Sequence, residues 1–428
     1  MTVPKAPLWH PFTQHATEPV PLPVARTEGA FLVTEDGRRI LDAISSWWVI
    51  THGHRHPAIA AAIRAATERL DQVIFAGFTH EPAERLAEAL VRLAPPGLAR
   101  VFLSDSGSTS VEVALKMALG YFRNIGAPRR RIAVMEHGYH GDTIGAMSVG
   151  ARGIFTAAYE PLLFSVDPIP FPEEGREQAT LDALEAVCRE GDTAALVVEP
   201  LVLGAGGMRT YRPAVLAELR RICTCHGVLL VADEVMTGWG RTGTLFACEA
   251  AGITPDILCT SKGLTGGFLP LAATLCREEI FAAHLSSDRG RTFFHSSSFT
   301  ANPIACAAAL ANIAVWEQEP VAERVTHLAR MQEERIARFR GDRRFTGVRR
   351  TGTIAALDLA VPDAGYLAEA GPRLRAFFLA RNILLRPLGN VIYVLPPYCV
   401  TGADLDRIYD AVAEAPEVLA VRSGAVAA

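Results

Sequence analysis

The sequence has little of what marks secreted, membrane or nucleic-acid-binding chains. Eight cysteines are spread over 428 residues, several inside apolar runs such as Asp256-Ile-Leu-Cys-Thr260. A disulfide framework belongs to short secreted chains, so these read as reduced thiols of a cytosolic protein. Cys223-x-Cys225 beside His226 lacks a second cluster, which makes zinc a weak reading. Met1–His10 has no apolar core of the kind a signal peptide needs. The longest stretch free of Asp, Glu, Lys and Arg, Thr292–Trp316, contains three serines, Asn302 and Pro303. It reads as a polar loop followed by a buried helix, not as a membrane span. There is no excess of positive charge: 42 Lys and Arg stand against 46 Asp and Glu, a net −4, which speaks against nucleic acid as the main partner. Also missing are a Gly-Lys-Ser/Thr phosphate loop, any internal repeat, and a Gly-x-Gly-x-x-Gly after an early strand. The last absence discounts a nicotinamide dehydrogenase.

Half the residues are hydrophobic and 21% are charged, enough to bury a sizeable core. At roughly 100–200 residues per domain, the length suggests two or three. Between about 55 and 310, short apolar runs alternate with helical patterns. Arg100–Leu103, Arg131–Met135, Ala194–Glu199, Gly227–Ala232, Asp256–Thr260 and Leu271–Leu275 read as strands, and Val111–Phe122 reads as a helix. Continuous apolar strands separated by helices predict an α/β fold with a mostly parallel sheet covered on both faces. A hairpin turning at Glu35-Asp36-Gly37 precedes it. A charged helix over Val321–Phe339 follows, then strands over Thr353–Leu359 and Ile383–Leu395, the latter broken at Leu388-Gly389-Asn390. The expected division is a large domain over 55–316 and a smaller α+β domain over 317–428 that residues 1–54 complete.

In such sheets ligands sit beyond the carboxyl ends of the strands, so the polar residues there carry the argument. Ser104–Thr109 follows the first strand, where Gly107 permits a tight turn and Ser108 with free helix amides could hold a phosphate. A capped helix is the equal alternative. In His137–Asp142, Tyr139 could stack on a flat ring, or the segment is an ordinary polar loop. Asp233 ends a buried strand, which is costly unless it meets a cation; a pyridinium nitrogen and an arginine are both candidates. Lys262 follows another strand, where desolvation would lower its pKa and make it a nucleophile for a carbonyl; a substrate-binding or structural lysine is the alternative. A phosphate cup, an aspartate and a lysine, all at strand ends, together describe a pyridoxal-phosphate site. The triplet His52, His54 and His56 fits neither a helical face nor a zinc loop and reads as a solvated connection.

Val231–Gly243 (Val-Ala-Asp-Glu-Val-Met-Thr-Gly-Trp-Gly-Arg-Thr-Gly) and Ser261–Gly267 (Ser-Lys-Gly-Leu-Thr-Gly-Gly) resemble the class III aminotransferases over nearly the whole chain. Trp9–Phe12, Ser45–Trp48, Asp105–Ser108, Gly138–Asp142, Gly204–Met208, Arg386-Pro-Leu-Gly389, Tyr393 and Pro396–Tyr398 resemble the branch that aminates 8-amino-7-oxononanoate in biotin synthesis. The resemblance implies a fold-type-I pyridoxal-phosphate transferase, a cytoplasmic homodimer with its site at the subunit interface. It implies Lys262 as the cofactor-bonded lysine and Asp233 as the partner of the ring nitrogen. Gly107 and Ser108 then take the phosphate, Tyr139 lies on the ring, and Trp47, Trp48, Phe12 and Tyr393 line the substrate pocket. Arg386 takes the substrate carboxylate. Ser297 and Ser298 reach the partner subunit's phosphate and Ser296 borders its substrate. The amino donor implied is S-adenosylmethionine, with lysine used by a minority of the branch; ω-amino acids, ornithine and diamines belong to other class III members. This chain has Ser296-Ser297-Ser298 where Gly-Pro-Thr is usual, and Phe12 where Tyr is common. Both differences bear on the donor.

Overall fold

The computed structural model describes residues 7–362 and 364–420. Met1–Ala6 of the N-terminal lead-in and residues 421–428 lie outside the described residues. The centre is a seven-stranded sheet. Its spatial order is Leu98–Ser104, Ala272–Arg277, Ile257–Thr260, Leu229–Asp233, Thr193–Val198, Arg131–Met135 and Asp167–Ile169. All neighbours are parallel except at Ala272–Arg277, which runs against both strands beside it. The central strands are buried along their length, which is why they read as unbroken apolar runs and not as alternating ones.

Helix Gly107–Asn124 packs on this sheet and begins at a capping box. Ser106 Oγ accepts the Thr109 amide at 3.2 Å, and Thr109 Oγ1 accepts the Ser106 amide at 3.0 Å. Helix Pro303–Gln318 starts after Asn302, whose Oδ1 accepts the amides of Ile304 and Ala305 at 3.1 and 3.0 Å. Proline at the first helical position costs no hydrogen bond there. This helix crosses Pro57–Thr67 and Glu81–Leu93 on the far side of the sheet.

A second sheet joins the ends of the chain. Strands Val24–Glu28, Phe31–Thr34 and Arg39–Asp42 are antiparallel neighbours, and Ile383–Leu384 pairs in parallel with Leu41–Asp42. The hairpin turn lies at residues 35–38, as its Asp-Gly pair predicts. Phe345–Thr351, Ile354–Leu359 and Val391–Val394 form a third sheet. The Ile383–Leu395 run therefore splits between two sheets, and Phe345–Thr351 is a strand that its charged Arg349-Arg350 pair concealed. The charged helix covers Val321–Ile336 and closes in a 3₁₀ turn at Ala337–Phe339.

Candidate active site

Three consecutive strand ends build the floor. Asp233 ends Leu229–Asp233 and is buried. Its Oδ2 lies 2.7 Å from His140 Nδ1, and its Oδ1 accepts the Val235 amide at 3.1 Å. Of the two partners open from sequence, an arginine is not the one present: among the described residues the ion-pair partner is His140. Burial disfavours the charged form of His140, but the hydrogen bond and charge of Asp233, with Glu199 nearby, overcome this and raise its pKa. Glu199 follows strand Thr193–Val198. Its two oxygens accept the amides of Tyr139 at 2.9 Å and Gly204 at 2.8 Å. Burial pushes this carboxyl up to about 7, against the pull of the His140 charge.

Lys262 stands two residues beyond strand Ile257–Thr260, at the start of the 3₁₀ turn Lys262–Thr265. Its φ of +46° is left-handed, a strain of order 1–3 kcal/mol in a non-glycine residue. Ser261 anchors the approach by donating from Oγ to the Leu271 carbonyl at 2.7 Å. Desolvation lowers the ammonium to about 8, although Asp233 and Glu199 favour its charge. Nζ lies 4.7 Å from the centre of the Trp48 ring.

The opposite end suits an anion. The Ser106–Thr109 box leaves the Gly107 and Ser108 amides without acceptors within their turn, at the positive end of an 18-residue helix. A Cβ on Gly107 would stand 2.7 Å from Val235 Cγ1, so glycine is what lets this turn close on the floor.

The wall comes from elsewhere in the chain. Trp48 is buried and donates from Nε1 to the Tyr393 hydroxyl at 3.1 Å. Ser45, Ser46 and Trp48 all have positive φ, and Asp42 holds this turn through the Ser46 amide at 2.8 Å and hydroxyl at 2.9 Å. Trp47 is 45% exposed, with its ring 5.6 Å from that of Phe12. Arg386 lies with its guanidinium carbon 5.4 Å from the Trp47 ring centre and donates to the Phe12 carbonyl at 3.2 Å. It has no carboxylate partner among the described residues.

A cavity of about 240 Å³ joins these groups. Phe12, Trp47, Trp48, Gly107, Ser108, Tyr139, Asp233, Lys262, Arg386 and Tyr393 all line it. Ser296, Ser297 and Ser298 do not line it. They sit on a loop closed by Thr300 Oγ1 and the Ser297 amide at 2.9 Å, between the exposed Phe294 and Phe299. Sequence reasoning passed over His140, Glu199, Phe155 and Tyr366, which also line the cavity. Glu199 was findable by the rule that found Asp233, since it too follows an apolar strand. Nothing local marks Phe155 and Tyr366. The His52, His54 and His56 segment is not the solvated connection its sequence suggested: the three side chains are largely buried and bond Asn312, Asp42 and Glu319, while Cys223 is buried, Cys225 exposed and His226 bonded to Glu185.

The donor set fits pyridoxal phosphate: helix amides for an anion, a buried carboxylate for a ring cation, and a neutralisable amine, all on one cavity. Comparison with known proteins points the same way. Residues 12–415 match the class-III aminotransferase family model. The adenosylmethionine-8-amino-7-oxononanoate aminotransferase of Synechococcus elongatus is 50% identical over 95% of this chain and 97% of its own. That of Mycobacterium leprae is 40% identical over 96% and 94%. Among solved structures, the enzyme of the same name from Methanocaldococcus jannaschii superposes with a TM-score of 0.91 at 33% identity, covering 96% of both chains. A PLP-bound amine transaminase from an uncultivated Pseudomonas species gives 0.88 at 31%, covering 97% of this chain and 99% of its own.

Proposed function

The chain belongs to the class-III aminotransferases, and from that premise we propose that it transfers the amino group of S-adenosylmethionine to 8-amino-7-oxononanoate, giving 7,8-diaminononanoate for biotin synthesis. It is a pyridoxal-phosphate enzyme of fold type I. The observation that carries the reading is the joint placement of Lys262, Asp233 and the Gly107–Ser108 amides around the cavity whose wall holds Trp48 and Arg386. When bound, pyridoxal phosphate supplies an aldehyde that bonds an amine and a ring that accepts an electron pair.

The chain's own residues do the rest. Lys262 Nζ would hold the cofactor covalently and, once free, would serve as the general base and acid that moves the proton at the substrate carbon. Its lowered pKa suits both tasks, because neutral and charged forms coexist near neutrality. Asp233, kept oriented by His140, holds the proton on the ring nitrogen. Gly107 and Ser108 bind the phosphate through amides and the helix dipole. Tyr139, its phenol pushed up by burial, would offer a neutral aromatic face to the ring. Arg386 pairs with the substrate carboxylate while Trp47, Trp48 and Tyr393 exclude water from the acyl chain. Both half-reactions use this one site, so kinetics are ping-pong.

We further propose a homodimer in which Ser297 and Ser298 serve the neighbouring phosphate and Ser296 the neighbouring substrate. The support is that this loop lies away from its own cavity while Phe294 and Phe299 beside it, and Ile74 and Phe78, are exposed. Residues 1–54 are assigned with 317–428 to the small domain, which the pairing of Ile383–Leu384 with Leu41–Asp42 supports. No helix of the described residues is long and apolar enough to cross a membrane. Free cysteines throughout favour the cytoplasm.

The experiment is a donor half-reaction: cofactor-loaded protein is mixed with S-adenosylmethionine or with lysine, and the visible band of the bound cofactor is followed. Fast bleaching by S-adenosylmethionine is expected. Bleaching by lysine alone would transfer the donor role to lysine, and bleaching by neither would remove both.

A further inference from the structure

Asn312 is a lone amide in the apolar run Ile304–Trp316, on a helix whose other buried residues are proline, alanine, cysteine, isoleucine and valine. It is completely buried. A buried amide is costly unless its polar atoms are satisfied, and an apolar residue would pack the same space. Every bond it makes leads towards Lys262 or the wall facing it. Nδ2 donates to the carbonyls of Gly263 and Leu264, the two residues after Lys262, at 3.0 and 3.1 Å. Oδ1 lies 2.9 Å from His52 Nε2. Two carbonyl acceptors fix which end of the amide is NH₂, so Oδ1 accepts and His52 carries its hydrogen on Nε2. His52 is neutral: burial lowers its pKa to about 4. It sits four residues after Trp48, whose ring lies beneath Lys262 Nζ.

The turn needs such a hold. Lys262 has φ +46°, and Gly266 and Gly267 follow at +64° and +90°. A strained lysine relaxes unless neighbouring contacts over-determine it. Packing around the turn is close: a Cβ on Gly263 would stand 2.7 Å from Trp239 Cβ, and one on Gly267 2.5 Å from Ile50 Cδ1.

The geometry points to Asn312 as a positioning residue: it clamps the left-handed turn that aims Lys262 Nζ into the cavity and ties that turn through His52 to the segment bearing Trp48. The inference rests on Lys262 being the cofactor-bonded lysine. Charged or titratable groups acting on Nζ are Asp233, Glu199 and Arg241, none of them bonded to Asn312. A change at Asn312 therefore reaches Nζ through position and not through a new charge.

The test uses full-length Asn312→Leu, His52→Leu and His52→Gln proteins beside the unsubstituted one. Each is stripped of cofactor and reloaded across a pH series. In Asn312→Leu the pH midpoint of cofactor uptake moves upward by about half a unit or more, as Nζ leaves its desolvated place. kcat falls about tenfold with KM within about threefold, the pattern of a misplaced reacting group. His52→Leu moves both in the same direction by less, and His52→Gln, which keeps an N–H for Oδ1, restores them. Borohydride fixation followed by mass spectrometry reports whether Lys262 carries the cofactor. An unchanged midpoint and kcat in Asn312→Leu, with only a lower melting temperature, overturns the proposal alone. If Asn312→Leu does not fold, equal behaviour of His52→Leu and His52→Gln overturns it. Failure to fix cofactor on Lys262 of the unsubstituted protein overturns the underlying reading and this inference with it.

Discussion

The floor and the rim of the cavity are made differently. The floor consists of groups at strand and helix ends of one sheet: Asp233, Lys262, Glu199, and the first turn of Gly107–Asn124. Its carboxylates are buried and each has fixed hydrogen-bond partners. The rim gathers Phe12, Trp47, Phe155, Tyr366 and Arg386 from five places far apart in sequence, and Phe12 and Trp47 remain 42% and 45% exposed. A rigid, desolvated floor suits chemistry common to a whole family, since fixed dipoles act strongest where water is excluded. An aromatic rim held by edge contacts suits choice of substrate. Solved relatives named as different transaminases share this fold at TM-scores near 0.9.

If this contrast holds, damage to the floor abolishes turnover whatever the substrate. On the proposed reading Lys262→Ala removes nucleophile and proton carrier together, so turnover should fall by about four or more orders of magnitude for every amine, while the melting temperature changes little. Single-turnover measurement with two unrelated amines checks it; a loss confined to one amine would place Lys262 in the rim class. Asp233→Asn keeps the shape and loses the negative charge that, on the proposed reading, would hold the ring proton. A fall in kcat of roughly a hundredfold or more is expected, with weaker cofactor retention measured by dialysis.

That floor was legible in sequence for a physical reason. An apolar parallel strand can end in a charged residue only where something meets that charge, so Asp233 and Lys262 were each open to a structural reading alone and pointed to a site only together. Gly107 and Ser108 read equally as a capped helix start or an anion site, and gained weight only beside Asp233 and Lys262. Glu199 obeyed the same rule and went unread, as did His140, which is polar but lies in a loop. The rim carries no period. Phe155 and Tyr366 meet at 4.7 Å across more than two hundred positions, and only the fold brings them together. For the same reason the large sheet was readable, while the pairing of Ile383–Leu384 with Leu41–Asp42 was not.

Arg386 lies between the two classes, charged like the floor but half-buried and placed on the rim. Arg386→Ala should cost the keto-acid half-reaction about 2 kcal/mol, the low end for truncating one member of a desolvated charge pair. The donor half-reaction should lose less; equal losses in both would show that Arg386 supports the floor instead.

The floor also predicts a pH dependence. On the proposed reading Lys262 takes up the cofactor as the neutral amine, and its pKa is lowered to about 8. Uptake by the cofactor-free protein should therefore speed up as pH rises through about 8 and level off above it. Between pH 6.5 and 8.5 the neutral fraction grows by roughly 25-fold, whereas an ordinary lysine near 10.4 would still be rising steeply. Stopped-flow uptake rates decide between the two curves.

The smallest effect tests the rim itself. Phe155 and Tyr366 meet edge to face, an arrangement worth about 0.5–1.5 kcal/mol beyond simple burial. If the pair shapes the substrate path and leaves the chemistry alone, Phe155→Ala and Tyr366→Ala should each raise KM for the keto acid severalfold with kcat unchanged. The double variant should lose less than the sum of the two, because the contact can be broken only once. Additive losses would mean that each ring meets substrate separately. A fall in kcat would be the more serious result, since it would show that the rim, like the floor, holds the reacting atoms in place.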